Sequence, residues 1–245
     1  MLEHNPQIGR RLPTVNPMVC ECNDGYLSDI RGLHIQREHV FGAIDAAEEE
    51  FEEGAVGAGA GMSCFGLKGG IGTASRRVRL GEGYTLGVLA LTNFGVLEDL
   101  MIAGIPAGKI ISNEQKAEEV EKGSVIVIIA TDIPLSTRQL KRIARRASVG
   151  LARTGGYVGH GSGELAVAFS TANRVPQTAT SDFQTTSVLS EERIDTVFRA
   201  VVESVEEAVL NSMVCAAPTS GRDGHVRRSL AEYMDLILAD RSLPE

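Results

Sequence analysis

The sequence predicts a layered fold of mixed α and β structure, either α/β or α+β, in which long amphipathic helices cover sheets. Two observations predict it. Several segments are nearly all apolar, as strands buried on both faces are: 84–93, 124–132 and 164–173. Others repeat apolar residues at helical spacing: 136–149, 190–214 and 226–240. Elements of these two kinds bury their apolar surfaces by stacking in layers.

The first half of the chain begins with a helical pattern and continues into strands. Val40, Ile44, Ala47 and Phe51 follow the period of an amphipathic helix, so the acidic run that ends near Glu53 predicts its solvated face. The glycine-rich stretch that follows favours tight turns and close backbone contacts. Two strands come next, at 73–80 and 84–93.

The second half starts after a polar connection, residues 112–123, which leads into the most apolar strand, 124–132. The helix predicted at 136–149 carries a basic face that we expect to be solvated. Ser190 is the expected N-cap of the next helix. The inward-facing apolar residues of the three helices are Leu140, Ile143, Ala144 and Ala147; Ile194, Phe198, Val201, Val205 and Val209; and Leu230, Met234 and Ile237.

The composition describes one ordinary globular domain, residues 1–245, of 26.1 kDa with 43% hydrophobic residues. This apolar content excludes a disordered chain. The longest apolar run, VIVIIA at 125–130, is far shorter than the ~20 residues of a membrane span. A pI near 5.3 argues against nucleic-acid partners. Because the first residues lack the apolar core of a secretory signal, we expect a cytoplasmic protein.

Familiar cofactor and metal motifs are incomplete in this sequence. The glycines that begin at Gly57 break the dinucleotide pattern at Met62, and Gly-Lys-Ser/Thr does not occur. His34 and His39 lie on different sides of a helix, and Cys20 and Cys22 lack a second ligand pair. We therefore expect neither a metal nor an organic cofactor, and we interpret the two cysteines as reduced, partly buried thiols.

Gly123-Ser124 is the first of two places with candidate chemistry. A serine at the junction of a polar loop and a buried strand can attack the carbonyl before it and become a new amino terminus. Its free α-amine then serves as the general base for the adjacent hydroxyl, as in amino-terminal nucleophile hydrolases. Taken alone, a Gly-Ser pair before a strand is more often a simple turn.

The second place is the loop His160-Gly-Ser-Gly-Glu, which presents Ser162 and Glu164. Side chains two apart at the start of a strand point the same way, so a hydroxyl and a carboxylate can jointly orient an amine or move a proton. The alternative interpretation is a polar turn that caps the strand.

Seven stretches, in order along the chain, carry a family resemblance. They include DGYLSDIRG, YTLGVLALTNFG and GSGELAVAFSTAN, and they occupy 24–32, 52–76, 84–95, 102–108, 123–156, 161–173 and 208–225. Together they resemble the DmpA/BapA family, the L-aminopeptidase/D-esterase and β-peptidyl aminopeptidase enzymes of peptidase family S58. The resemblance covers nearly the whole chain. It implies an autoprocessed αββα sandwich, similar to that of ornithine acetyltransferase, and a homo-oligomeric assembly.

The resemblance also implies roles for four residues. Ser124 is the nucleophile, released by self-cleavage into subunits 1–123 and 124–245. Ser162 and Glu164 match the second serine and the glutamate of the family, and Asn93 of LTNFG matches its oxyanion asparagine. The implied function is a serine aminopeptidase or amidase that releases amino-terminal residues from small peptides, amides or esters. Either the Ser124 α-amine or the Ser162–Glu164 pair carries the proton.

Two departures from the family pattern accompany this resemblance. The family precursors are longer at the amino terminus, where they carry part of the substrate pocket, so we expect either a truncated product or a pocket that is built differently. Asn23 stands where characterised members carry a tyrosine that assists the transition state, and an amide cannot act as a phenolic acid. Two alternatives stay open: an acyltransferase resembling ornithine acetyltransferase, which normally uses threonine, and an inactive truncated homologue that serves as a scaffold.

Overall fold

The computed structural model describes residues 2–3, 5–113, 123–176 and 181–239 of the chain. The strands of this described part are β1 (Ser63–Cys64), β2 (Leu67–Lys68), β3 (Ile71–Val78), β4 (Tyr84–Asn93), β5 (Gly123–Thr131), β6 (Ser162–Ser170), β7 (Thr219–Ser220) and β8 (Val226–Arg227). Its α-helices are α1 (Arg37–Asp45), α2 (Ala107–Ser112), α3 (Thr137–Ala144), α4 (Ala147–Arg153), α5 (Ile194–Val214) and α6 (Met234–Ala239). Short 3₁₀ turns occupy Ile30–Gly32, Gly57–Gly59, Leu97–Asp99, Glu191–Arg193, Arg222–Gly224 and Leu230–Tyr233.

A four-stranded sheet in the order β3-β4-β5-β6 organises the molecule. Its first three strands are antiparallel, and β5 and β6 are parallel. A parallel pair needs a crossover connection, which the chain makes through α3 and α4. The two-stranded pairs β1-β2 and β7-β8 lie outside this sheet. This arrangement brings the end of β4 beside the start of β5 and β6.

The 21-residue helix α5 covers one face of the sheet. It approaches β3 most closely at Gly72, where an added Cβ would lie 2.0 Å from the Ala208 carbonyl oxygen. On the next strand, Thr92 Oγ1 and Ser212 Oγ share a hydrogen bond of 2.7 Å. Alternate residues of β3, β4 and β5 therefore enter the main core beneath this helix.

The opposite face of the sheet is only partly covered within the described residues. A small apolar cluster near Cys22, Met62 and Ile126 covers one end. Farther along, Ile128, Leu165 and Phe169 remain exposed, by 37%, 44% and 45%. The prediction that 164–173 is a strand buried on both faces is thus wrong for β6, which lies at an edge. No helix in the described ranges has the length and apolar character that crossing a bilayer requires.

Several predicted helices differ from the structure in their bounds. The first ends at Asp45, so the acidic run is not its solvated face, and Val40 and Ile44 are exposed. The third begins only at Leu230, because Ser229 and Glu232 form a capping box there. Ser190 precedes a 3₁₀ turn ahead of α5, and its side chain makes no capping hydrogen bond.

The helix predicted at 136–149 is two helices, α3 and α4. Helix α4 packs closely on α5 at Gly150, where a Cβ would lie 2.6 Å from the Cβ of Val205. The basic face is also not simply solvated. Arg142 and Arg146 stack on the ring of Phe198, with guanidinium carbons 5.0 and 3.9 Å from its centroid.

The strands at 73–80, 84–93 and 124–132 are confirmed within a residue or two by β3, β4 and β5. The predicted polar connection lies mostly outside the described residues, since 114–122 are not among them.

Candidate active site

Ser124 and Asn93 lie side by side where β4 ends and β5 begins. Ser124 pairs directly with Asn93 across the antiparallel ladder and with Gly163 on its other side. Residues directly opposite each other point to the same face of a sheet. Because Thr92 points to Ser212 of α5, its neighbour Asn93 points away from that helix. Ser124 and Asn93 therefore share the partly covered face.

Main-chain groups hold both ends of the Asn93 amide. Its Oδ1 accepts a hydrogen bond of 2.9 Å from the Ser63 N–H, and its Nδ2 donates one of 2.9 Å to the Asn23 carbonyl. If the amide were flipped, Nδ2 would face the Ser63 N–H and Oδ1 would face the Asn23 carbonyl oxygen, and neither hydrogen bond could form. The orientation is therefore fixed. One Nδ2 hydrogen has no partner among the described residues and is free to bind an oxyanion.

The backbone at Gly123 packs against Asn93. Its φ is +155°, and an added Cβ would lie 1.9 Å from the Asn93 carbonyl oxygen and 3.3 Å from Nδ2. Only glycine fits such a contact. The amide of Asn93 therefore lies next to the Gly123-Ser124 peptide.

Ser162 and Glu164 approach Ser124 from the other side. Ser162 Oγ donates a hydrogen bond of 2.7 Å to Glu164 Oε1, as their spacing in β6 predicts. They pair with Gly123 and Val125, one residue to either side of Ser124. Val125 is fully buried in the core beneath the helices. The pair therefore lies on the helix-covered face, beside the Ser124 main chain.

Glu164 also lines an open cavity of about 490 Å³ between β6 and the α3–α4 crossover. Its helical wall includes Ala144, Ser148 and Leu151. This cavity gives the carboxylate a route to solvent on the face opposite Asn93. The sheet thus separates the candidate oxyanion donor from the candidate proton-carrying pair, and the main chain of Ser124 lies between them.

The Cys22 thiol lies over Ser124. It belongs to a buried apolar cluster with Leu91 and Ile126. Burial raises the pKa of Cys22, and a hydrogen bond with the Ser124 side chain opposes this effect. The thiol is therefore protonated at neutral pH and forms an apolar wall beside the hydroxyl.

The groups that hold the predicted residues are not apparent from the sequence. Three of them act on Asn93 or Ser124 directly: the Ser63 N–H, the Asn23 carbonyl and the Cys22 thiol. Two of these are main-chain groups, which carry no sequence signal. The sequence draws attention to the Asn23 side chain, whereas it is the Asn23 carbonyl that accepts a hydrogen bond from Asn93. In the described parts of the chain, no group of three or more His, Cys, Asp or Glu side chains is placed to hold a metal ion.

Comparison with known proteins identifies the family. Residues 1–227 match peptidase family S58. The chain belongs to this family. Over 230 residues it is 40% identical to the β-peptidyl aminopeptidase BapA of Sphingosinicella microcystinivorans, an alignment that covers 87% of this chain and 58% of that protein.

Two solved structures of high similarity extend the family assignment to the fold. The PH0078 protein from Pyrococcus horikoshii OT3 is 53% identical with a TM-score of 0.90, over 97% of this chain and 66% of that one. The L-aminopeptidase D-Ala-esterase/amidase from Ochrobactrum anthropi is 40% identical with a TM-score of 0.80, over 88% and 60%. The latter is described as a variant of the Ntn hydrolase fold.

These similarities confirm the predicted fold class, the layered αββα sandwich of the family. The sheet and its helical cover are two of these layers. The S58 chain spans between about half and two thirds of the length of these relatives.

Proposed function

We propose that this S58 chain is an autoprocessing serine aminopeptidase or amidase with Ser124 as its nucleophile. One observation carries the proposal: the ends of β4, β5 and β6 bring Ser124, Asn93 and the Ser162–Glu164 pair together around the Gly123-Ser124 peptide. The enzymes named among its relatives act as β-peptidyl aminopeptidase and L-aminopeptidase.

Self-cleavage starts with attack of Ser124 Oγ on the Gly123 carbonyl carbon. The free N–H of Asn93 stabilises the oxyanion of the tetrahedral intermediate. The C–N bond breaks, the hydroxyl proton passes to the departing nitrogen, and an ester links Gly123 to Ser124 Oγ. Water then hydrolyses the ester, which leaves a carboxylate on Gly123 and a free α-amine on Ser124.

Turnover repeats this chemistry on a substrate. The Ser124 α-amine takes the hydroxyl proton as Oγ attacks the carbonyl of the substrate's amino-terminal residue, and it then protonates the leaving amine. Ser162 and Glu164 flank the main chain of Ser124 and lie on the face away from its hydroxyl. This favours a role in which the pair orients and stabilises the α-amine. Water finally releases the acyl group.

A denaturing gel with mass spectrometry tests the proposal. We expect the wild-type chain to yield fragments 1–123 and 124–245, and Ser124→Ala to stay uncut. Ser75→Ala, at an exposed serine of the same sheet, is the matched control and should be cut normally. A single uncut wild-type band, without turnover of amino-acid p-nitroanilides, would contradict the proposal and favour the scaffold alternative.

The proposal also includes a cytoplasmic location, a homo-oligomeric state and no nucleic-acid partner. Cell fractionation, light scattering of the purified protein and a nucleic-acid filter-binding assay test these elements in turn.

A further inference from the structure

Lys68 is a buried cation below the Asn93 side chain. The proposed mechanism does not use this cation. Its side chain has no exposed surface. The ammonium donates three hydrogen bonds, to the carbonyl oxygens of Gly59, Met62 and Gly69 at 2.9, 2.9 and 2.6 Å. All three of its N–H groups are thus satisfied by main-chain acceptors. A buried lysine is costly to a fold, because its charge is removed from water.

The Met62-Ser63 peptide connects Lys68 to the candidate oxyanion site. Lys68 pairs directly with Ser63 in the β1-β2 hairpin. The Met62 carbonyl accepts from the Lys68 ammonium, and the N–H of the same peptide unit donates to Asn93 Oδ1. A continuous line of hydrogen bonds therefore joins the ammonium to the amide that faces the Gly123-Ser124 bond.

The positive charge of Lys68 polarises the groups along this line of hydrogen bonds, from the Met62 carbonyl to the Asn93 amide. Peptide and amide groups are resonant, so a positive charge at the Met62 oxygen draws electrons from the attached nitrogen and makes the Ser63 N–H a stronger donor. That donor acts in the same way on Asn93 Oδ1 and strengthens the Nδ2 hydrogens. Hydrogen bonds in such chains polarise one another, and low dielectric increases the effect.

We propose that Lys68 is a positioning residue that acts through Asn93: its ammonium polarises the Met62-Ser63 peptide and thereby strengthens the remaining Asn93 N–H as an oxyanion donor. The inference rests on the proposed function for its catalytic consequence, whereas the polarisation itself is measurable without activity.

Titration of Lys68 supplies a spectroscopic test. Burial lowers the pKa of Lys68 to about 8, against smaller opposing effects of Cys64 and Asp24, the titratable groups that face it. In the uncut Ser124→Ala chain no α-amine forms at residue 124, so that group cannot contribute. We expect the Asn93 side-chain NH₂ signals of a ¹⁵N-asparagine-labelled sample to move with a midpoint near 8, upfield as the ammonium is lost.

Three variants make this measurement specific. Asn93→Ala assigns the signals. Cys64→Ala keeps the transition, since the pKa of Cys64 itself is raised to about 12 by burial, but it lowers the midpoint because Cys64 raises the pKa of Lys68. Asp24→Asn keeps it but lowers its midpoint, because the carboxylate raises the pKa of Lys68. Flat Asn93 signals between about pH 6.5 and about pH 9 would overturn the proposal, even if the enzyme were active.

Kinetics test the catalytic consequence. We expect Lys68→Met to lower kcat about tenfold, less than the ~10²-fold loss from removing an oxyanion donor outright, with KM changed by less than about twofold. In an Asn93→Ala background the same substitution should lower neither the rate of self-cleavage nor kcat per cut chain any further. Lys141→Met, at an exposed position of α3, is the matched control. An equal loss in both backgrounds would mean that Lys68 only supports the loop, and would overturn the proposal.

The titration and the kinetics together distinguish a failure of this inference from a failure of the proposed function. If the wild-type chain neither cuts itself nor turns over substrate, the titration still decides whether Lys68 polarises Asn93. If Lys68→Met does not fold, the titration of the Ser124→Ala chain, which retains Lys68, decides it in the same way.

Discussion

At the scale of single residues, the candidate site is divided by the plane of the sheet. Asn93 and Ser124 project to one face, whereas Ser162 and Glu164 project to the other. The main chain of Ser124 lies between them. This geometry predicts separate tasks: stabilisation of the oxyanion on the first face and control of the amine on the second.

Glu164→Gln tests this division. The glutamine can still accept the hydrogen bond from Ser162 Oγ, but it carries no charge to stabilise a protonated α-amine. We expect kcat on an amino-acid p-nitroanilide to fall by ~10²-fold or more, with the thermal unfolding midpoint nearly unchanged because Glu164 is not part of the core. Glu82→Gln, at an exposed position, is the control. Normal turnover in Glu164→Gln would remove this carboxylate from the catalytic set.

Lys68 also makes stability depend on pH. Its pKa is about 8 in the fold against 10.5 for the free side chain, so between these values the unfolded chain binds more protons. Stability therefore rises as pH increases from about 8 toward 10.5. The raised pKa of Cys64 acts in the opposite sense, but only above its ordinary value of 9.0.

Urea unfolding of the Ser124→Ala chain at several pH values between about 7.5 and about 9 measures this effect. We expect its free energy of unfolding to rise relative to that of the same chain with Lys68→Met. A constant difference between the two chains across this range would contradict the lowered pKa of Lys68.

At the scale of elements, pattern alone predicts the strands well and the helices less well. The apolar runs of β4 and β5 are unambiguous because both strands lie inside the sheet. The helix bounds depend on contacts that pattern does not contain, such as the packing of Gly150 on Val205. The capping box at Ser229 is different, since its S-x-x-E signature is visible in the sequence.

In the candidate site, too, the sequence predicts some contacts and not others. Ser124, Asn93, Ser162 and Glu164 follow from the family resemblance, and their spacing in the strands predicts which of them share a face. The Ser63 N–H and the Asn23 carbonyl could not be predicted, because any residue supplies a main-chain group. The burial of Lys68 could not be predicted either, because a single lysine in a glycine-rich stretch ordinarily lies at the surface.

The contact between β3 and α5 gives a prediction for packing between elements. In Gly72→Ala the new Cβ would lie 2.0 Å from the Ala208 carbonyl oxygen and 2.4 Å from the Ser212 nitrogen, and neither main-chain atom yields easily. We expect a loss of about 1–3 kcal/mol in the free energy of unfolding. Gly87→Ala in β4 is the control, since nothing lies within 4 Å of its Cβ. Equal stability of the two variants would contradict this close packing.

At the scale of the whole molecule, the proposed cleavage cuts the chain but not the core. The subunit 1–123 would contain β3, β4 and the first residue of β5, Gly123, whereas the subunit 124–245 would contain the rest of β5, β6 and α5. Eight residue pairs join β4 to β5, from Leu86–Thr131 to Asn93–Ser124. Helix α5 of the second subunit covers β3 and β4 of the first. The two subunits therefore share one sheet and one hydrophobic core.

This sharing predicts that the cut protein stays together. Separating the subunits would expose the core surfaces of β4, β5 and α5 to water, at about 25 cal/mol for each Å² of apolar area, and would leave the strand edges unpaired. We expect both fragments to elute in one peak from a size-exclusion column without denaturant, and to separate in urea. The uncut Ser124→Ala chain, run in parallel, should elute at the same volume. Separate native peaks for the two fragments would show that the sheet does not survive cleavage.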